Sequence, residues 1–335
     1  RVRCELQALR VAHSRREIVV KALRSLQAIS LQPSGREQVI AQGGWNLIMA
    51  VIEKHSHRTS VLEAAFNVLQ NMSLAVTETV PVAFLVYLGA VHFGNVSCDQ
   101  SLFGLFRNLS IIDACKGEIF RQGASGLAID NINKHMAVSQ LVEHAFAVLW
   151  NLSKDERRAV YIGQTERGVC IAAAAAYRHR DHERVLRMIM GALHAMIQQE
   201  INQETLLSEI RLMPSCPLVA VDILFQCLEV HARVDHFDTF RSVHMVLTPL
   251  LKTDASKRFL VNRSNSLFHV VTKCFLVGPS LGCRILNTLF DTISEFCPQE
   301  AMQEKIFTSG LLRQLVSLLP LCRSMHLDER RTSDS

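Results

Sequence analysis

The chain has 335 residues, 49% of them apolar and 20% charged, with only 15 Gly and 8 Pro. That balance excludes a disordered chain, which cannot bury enough apolar surface, and leaves too few turn formers for an all-β fold. The longest apolar run, Val80 to Val91, covers 12 residues against about 20 needed to cross a bilayer, so a soluble, mostly helical protein is expected.

The chain opens on its charge. Residues 1–24 hold seven basic side chains against Glu5 and Glu17, and that excess is the whole net charge of +5. Residues 1–15 read as a basic N-terminal helix or cap. Its charge is that of a solvated first helix or of an electrostatic dock for anionic lipid or nucleic acid. A nucleic-acid binder carries a basic face along its length. The rest of this chain balances to zero, which argues against nucleic acid and leaves membrane contact to the N-terminus alone. A chain opening at Arg1 reads as a processed form or a fragment.

Beyond the cap, one pattern returns. Ser25-Leu-Gln-Ala-Ile-Ser30 closes a first amphipathic stretch. A turn, Gln32-Pro-Ser-Gly35, then a short helix over Arg36–Gln42, then Gly43-Gly44, then a helix from Trp45 to Ile52 are expected to follow. The first stretch reappears more strongly as Val68-Leu-Gln-Asn-Met-Ser73, Leu105-Phe-Arg-Asn-Leu-Ser110 and Val148-Leu-Trp-Asn-Leu-Ser153. In the last of these, Leu141, Val142, Ala145, Phe146, Val148, Leu149 and Leu152 fall on one helical face. Weaker copies are Ala192-Leu-His-Ala-Met-Ile197, the run from His244 to Leu251 with Pro249 in the Asn position, and Thr288-Leu-Phe-Asp-Thr-Ile293. The aligned positions Ala28, Asn71, Asn108, Asn151, Ala195, Pro249 and Asp291 are 43, 37, 43, 44, 54 and 42 residues apart. Helical repeats of this period stack into solenoids, because one repeat cannot bury its own apolar face. The short-helix and glycine corner recurs at Glu118–Ala124 and Lys305–Leu311, and more loosely at Tyr161–Gly163 with Gly168.

These motifs resemble the armadillo repeat family, whose third helix ends in a similar Asn-Leu-Ser pattern and whose first helix runs into a Gly-Gly corner. The resemblance covers nearly all of residues 16–322. It implies an all-α fold, a right-handed solenoid of about seven armadillo-type repeats, with a polar tail over 323–335. It also implies that the third helices line a concave groove. Asn71, Asn108 and Asn151 would there bond the backbone of an extended peptide from a protein partner, since a carboxamide both donates and accepts. The alternative is that they brace the helix ends. Trp150 is a candidate anchor or a core side chain; Arg107 and Asn67 complete the candidate groove set. Nuclear-import adaptors of this fold place Trp four residues before each such Asn. Here those positions hold Asn67, Gly104 and Ala147, which argues against import of basic signals.

Little else carries chemistry. Ten cysteines include no Cys-x-x-Cys pair, so reduced, buried thiols are expected, and no metal site. His55-Ser-His57 and His179-Arg-Asp-His182 fall between second and third helices, where solvated turns belong. The Asn-x-Ser matches at 71, 108 and 151 belong to the repeat, and those at Asn95 and Asn262 are discounted with them. No phosphate loop, zinc-protease or nucleophile-elbow motif occurs, so neither cofactor nor catalysis is expected. The function expected is a non-catalytic scaffold or adaptor in the cytoplasm, or the nucleus. The alternatives are a regulatory module of a larger signalling or cytoskeletal protein, or docking through the basic N-terminus.

Overall fold

The computed structural model describes residues 1–11, 15–75, 80–208, 220–231 and 236–250, with single positions 252, 256, 260 and 303. The copy at Asp291, the corner at 305–311, Asn262, five of the ten cysteines and the tail over 323–335 lie outside the described residues. The described residues form helices only. The chain divides into two compact units, Arg1–Arg158 and Ala159–Ser335.

Unit 1 contains α1 (Val2–Val11), α2 (Arg16–Ser30), α3 (Pro33–Ala41), α4 (Gly44–Lys54), α5 (Thr59–Met72), α6 (Val82–Val91), α7 (Val96–Leu109), α8 (Asp113–Arg121), α9 (Ala124–Lys134) and α10 (Ser139–Leu152). The third helices α2, α5, α7 and α10 pack side by side in that order. The face expected on α10 is buried from Leu141 to Leu152. Phe66, Phe103, Phe106 and Phe146 are fully buried on these helices. Phe103 and Phe106 meet edge to face at 6.2 Å, the arrangement that ring quadrupoles favour. The 37-residue spacing has a local cause: among the described residues no short first helix separates α5 from α6.

α1 buries Val2, Leu6 and Leu9 and packs on α2 and α4. The turn expected at Gln32–Gly35 is shorter than that. α3 already begins at Pro33, because proline's fixed φ suits the first helical position, where no N–H partner exists. Between first and second helices, Gly43 (φ 71°) and Gly123 (φ 82°) take left-handed backbone, which glycine adopts without Cβ strain. The Gly44 that follows serves packing: a Cβ there would lie 2.6 Å from the Val39 carbonyl oxygen.

α11 (Glu156–Val160) leads into unit 2, where a π-helical turn over Tyr161–Thr165 completes the first helix of that repeat. Then come α12 (Gly168–Arg178), α13 (Glu183–Met196), α14 (Glu200–Leu207), α15 (Ala220–Val230) and α16 (Phe237–Leu250). α13 packs on α16, which carries Pro249 in its last turn, so the copy at Pro249 is a third helix. At this corner the left-handed residue is Arg167 (φ 59°), not glycine. Gly168, one residue on, approaches the Ile162 carbonyl instead, at 2.7 Å from a notional Cβ.

One regularity went unread in the sequence. Each described second helix after α1 ends at a histidine: His55, His92, His135, His179 and His231. In the first four copies its carbonyl accepts the N–H three residues on, from Arg58, Asn95, Val138 and His182 at 2.8–3.0 Å. The two expected histidine clusters therefore split. His55 and His179 are 3% and 2% exposed, whereas His57 and His182 face solvent. The turns are where the sequence places them, but one ring of each pair is buried.

Candidate functional site

The three asparagines stand at the ends of α5, α7 and α10, and each reaches back to the third helix before it. Asn71 Nδ2 donates to the Gln27 carbonyl at 3.2 Å and to Ser30 Oγ at 2.9 Å. Asn108 Nδ2 donates to the Gln70 carbonyl at 2.9 Å. Asn151 Nδ2 donates to the Arg107 carbonyl at 3.4 Å and to Ser110 Oγ at 3.0 Å. The serines explain their half of the motif. Ser30, Ser73 and Ser110 are buried, and each hydroxyl donates to the carbonyl three residues back at 2.8–3.0 Å. That satisfies a helix-end acceptor that has no partner within the helix. The Asn-x-Ser pair is thus a joint between repeats. The bracing alternative holds for Nδ2, while each Oδ1 has no hydrogen-bond partner among the described residues.

The other candidates separate by environment. Asn67, half-buried on α5, makes no hydrogen bond among the described residues. Gly104 occupies the matching place on α7, where a Cβ would collide with the Gln70 carboxamide, so the absent side chain makes room for Gln70. Arg107 is held by Glu143 of α10 at 3.1 Å, with Glu143 almost fully buried. His144 of the same helix donates from Nδ1 to the Gln100 carbonyl of α7 at 3.2 Å. Trp150 is half-exposed with the Lys154 ammonium 5.9 Å from its ring centre. Trp45 is the core tryptophan, at 1% exposure.

The first turn of α7 holds a strongly perturbed acid. Asp99 is buried and accepts the Gly94 N–H at 2.8 Å. Burial pushes its carboxyl up to about 6, against the pull of that N–H, Lys134 and His92. Burial likewise pushes the Cys98 thiol up to about 12, so it remains protonated and a poor nucleophile. Cys98 and Cys227 are buried as expected, but Cys4 is exposed; these and Cys115 and Cys170 are free thiols. Among the described residues no three His, Cys, Asp or Glu side chains are placed to hold a metal ion, and no helix is long and apolar enough to cross a membrane.

Comparison with solved structures identifies the architecture. The fold is similar to that of an armadillo chain from a structure of the cadherin–β-catenin interaction, which a conserved phosphorylation switch controls: TM-score 0.71, 12% identity, covering 93% of this chain. This chain spans 65% of that one. A crystal structure of an engineered protein matches 95% of this chain and 84% of its own length, at TM-score 0.55 and 15% identity. No family model matches the sequence, and no curated protein matches it. The fold is an all-α, armadillo-like solenoid.

Proposed function

We propose that the exposed face of α2, α5, α7 and α10 binds an extended segment of a protein partner, and that the chain acts as a non-catalytic scaffold. The observation that carries this reading is the row of carboxamides. Each Nδ2 is fixed by the preceding helix, so each Oδ1 is held in place as an acceptor. Helices packed about 8–10 Å apart match roughly three residues of extended chain at about 3.3 Å each. Asn71, Asn108 and Asn151 would then accept one peptide N–H per repeat, whatever the side chains. Trp150 would supply the anchor that binding faces concentrate their energy on, and Asn67 a further polar contact. Arg107 would hold the face in shape through Glu143. The armadillo chain similar to this one takes part in an interaction between proteins, and a partner of that class fits here. The free thiols suit a reducing compartment, the cytoplasm or the nucleus.

Random peptides displayed against the full chain supply the test. The affinity of a selected peptide is then measured for variants whose helicity circular dichroism shows intact. Joint replacement of Asn71, Asn108 and Asn151 by Ala is expected to weaken it by about tenfold or more, and Trp150→Ala by about thirtyfold. Asn67→Ala, which breaks no internal bond, isolates contact from stability and is expected to cost about threefold. Unchanged affinity in all three variants rejects the groove.

A further inference from the structure

The third helices of unit 1 do not present the same chemistry from one repeat to the next. Four residues before the aligned positions stand Arg24, Asn67, Gly104 and Ala147. Arg24 is exposed, Asn67 half-buried, and Ala147 buried. At this position the face is therefore charged at α2 and nearly bare at α7 and α10. An open depression of about 440 Å³ lies between α2 and α5, lined by Arg16, Glu17, Val20, Lys21, Arg24 and Ser60. Arg16 Nε donates to Ser60 Oγ at 3.1 Å, which draws its guanidinium across to α5. Lys21 and Arg24, one turn apart and exposed, make no ion pair or hydrogen bond among the described residues. Glu17 lies in the same lining and bonds neither. Arg107, by contrast, is already neutralised by Glu143.

The basic N-terminal stretch, read as one cluster in the sequence, is two. Arg3 and Arg10 line a separate depression with Cys4, Gln7 and Gln42, which shares no residue with the one on α2. Only the α2 patch continues onto the helix whose end receives Asn71.

We infer that the α2–α5 depression binds an acidic, Asp- or Glu-rich stretch of a protein segment. The inference rests on the scaffold reading for the path of the bound chain, but its charge test does not. A carboxylate pairs with the Arg16 and Arg24 forks and with the Lys21 point charge. Uncompensated positive charge in a depression attracts anions more strongly than the same charge on a flat surface. Duplex nucleic acid, with a charge about every 1.7 Å, needs a basic stripe that continues past α2. The face instead passes to neutral Asn67 and Gly104. A bilayer would meet the Arg3 and Arg10 patch as readily as this one, and that difference decides between the two.

The test uses the full chain and a fluorescent peptide of alternating Glu and Ser, with a Gln and Ser peptide as its neutral twin. Anisotropy at low salt is expected to show the Glu peptide binding at least about tenfold more tightly, with the gap closing at high salt. Joint Lys21→Glu and Arg24→Glu is expected to abolish that preference, and the milder pair Lys21→Gln and Arg24→Gln to reduce it about threefold. Joint Arg3→Glu and Arg10→Glu leaves it within about twofold. Equal binding of the two peptides overturns the inference. So does equal loss in the α1 and α2 variants, or binding of phosphatidylserine vesicles or duplex DNA without binding of the Glu peptide. The two readings fail separately. If only the groove is wrong, the Glu peptide still depends on Lys21 and Arg24 while the asparagine variants do nothing. If only the charge is wrong, the displayed peptide still responds to the asparagines.

Discussion

Unit 1 and unit 2 are built on one helical period but are pinned by different polar joints. In unit 1 each joint is a half-buried carboxamide reaching one helix back, from Asn71, Asn108 and Asn151. In unit 2 the corresponding positions among the described residues are Ala195 and Pro249, which offer no such group. There a first helix supplies the joint. Asn202 of α14 is fully buried and donates to the Ala159 and Met196 carbonyls at 3.0 and 2.8 Å. It accepts from Gln164 Nε2 at 2.8 Å, and a Cβ on Gly163 would strike its carboxamide. Between α13 and α16, His194 Nδ1 donates to the Met245 carbonyl at 2.8 Å. The difference teaches that apolar packing sets the period, while the polar joint is local and replaceable. A joint left half-exposed keeps an acceptor for a partner; a joint fully buried has none to spare.

The sharpest way to break this comparison is to remove the buried joint. Asn202→Ala takes the buried side-chain donor from the Ala159 and Met196 carbonyls and one acceptor from Gln164, leaves a cavity in the interior, and is expected to destabilise unit 2 by about 3 kcal/mol. Hydrogen exchange of the α13 and α14 amides measures it. The half-exposed joint is expected to matter less. Asn71→Ala should cost about 1 kcal/mol, since the Gln27 carbonyl keeps the Ser30 hydroxyl as a donor. Asn71→Asp should cost about 2 kcal/mol, because a carboxylate then faces that carbonyl and can accept only from Ser30. Equal losses at Asn202 and Asn71 would show that burial does not distinguish the joints.

The third helices were legible because their signal is local. Phe146 and its neighbours declare one apolar face within twelve residues, and the Asn-x-Ser ending marks where each helix stops. The direction of Asn71 was not legible. Its partner is a main-chain carbonyl 44 residues away, which leaves no trace in side-chain identity. The serine's role was hidden for the same reason, since Ser30 and Ser110 act as acceptors for the next repeat. The helix-ending histidines could have been found: His55, His92, His135 and His179 each precede the aligned position by 16 residues. A search for chemistry favours adjacent histidines, and these are a repeat apart. The division of the basic stretch into two patches needed the α1 and α2 geometry.

Protonation sharpens the contrast further, with smaller effects. Asp99, in unit 1, has its carboxyl raised by burial from 3.8 to about 6, so the folded state holds its proton more tightly than the unfolded chain does. Its stabilisation is present below pH 3.8 and lost as pH rises through about 6. His231, in unit 2, is held below its ordinary 6.5, chiefly by burial and also by His236, against the Arg180 carbonyl to which its Nε2 donates. Its stabilisation is present above pH 6.5 and lost as pH falls through the lowered value. Melting curves of Asp99→Asn and His231→Gln across this range should each flatten one limb. A wild-type stability that falls relative to Asp99→Asn toward acid would contradict the Asp99 assignment.

The smallest expected effects test the corners, where the two units differ by one side chain. At Gly43 the backbone is left-handed and a Cβ would meet nothing within 4 Å, so Gly43→Ala introduces conformational strain with no clash. About 1 kcal/mol is the expected loss. Arg167 already bears that strain at φ 59°. Arg167→Gly relieves it, but glycine also gives the unfolded chain more freedom, which returns about 0.5–1 kcal/mol of the gain. The net change should fall within about 0.5 kcal/mol of zero. Thermal unfolding of the two variants side by side reads the asymmetry. A loss at Arg167→Gly as large as that at Gly43→Ala would mean that the arginine side chain, and not the corner it occupies, stabilises the start of α12.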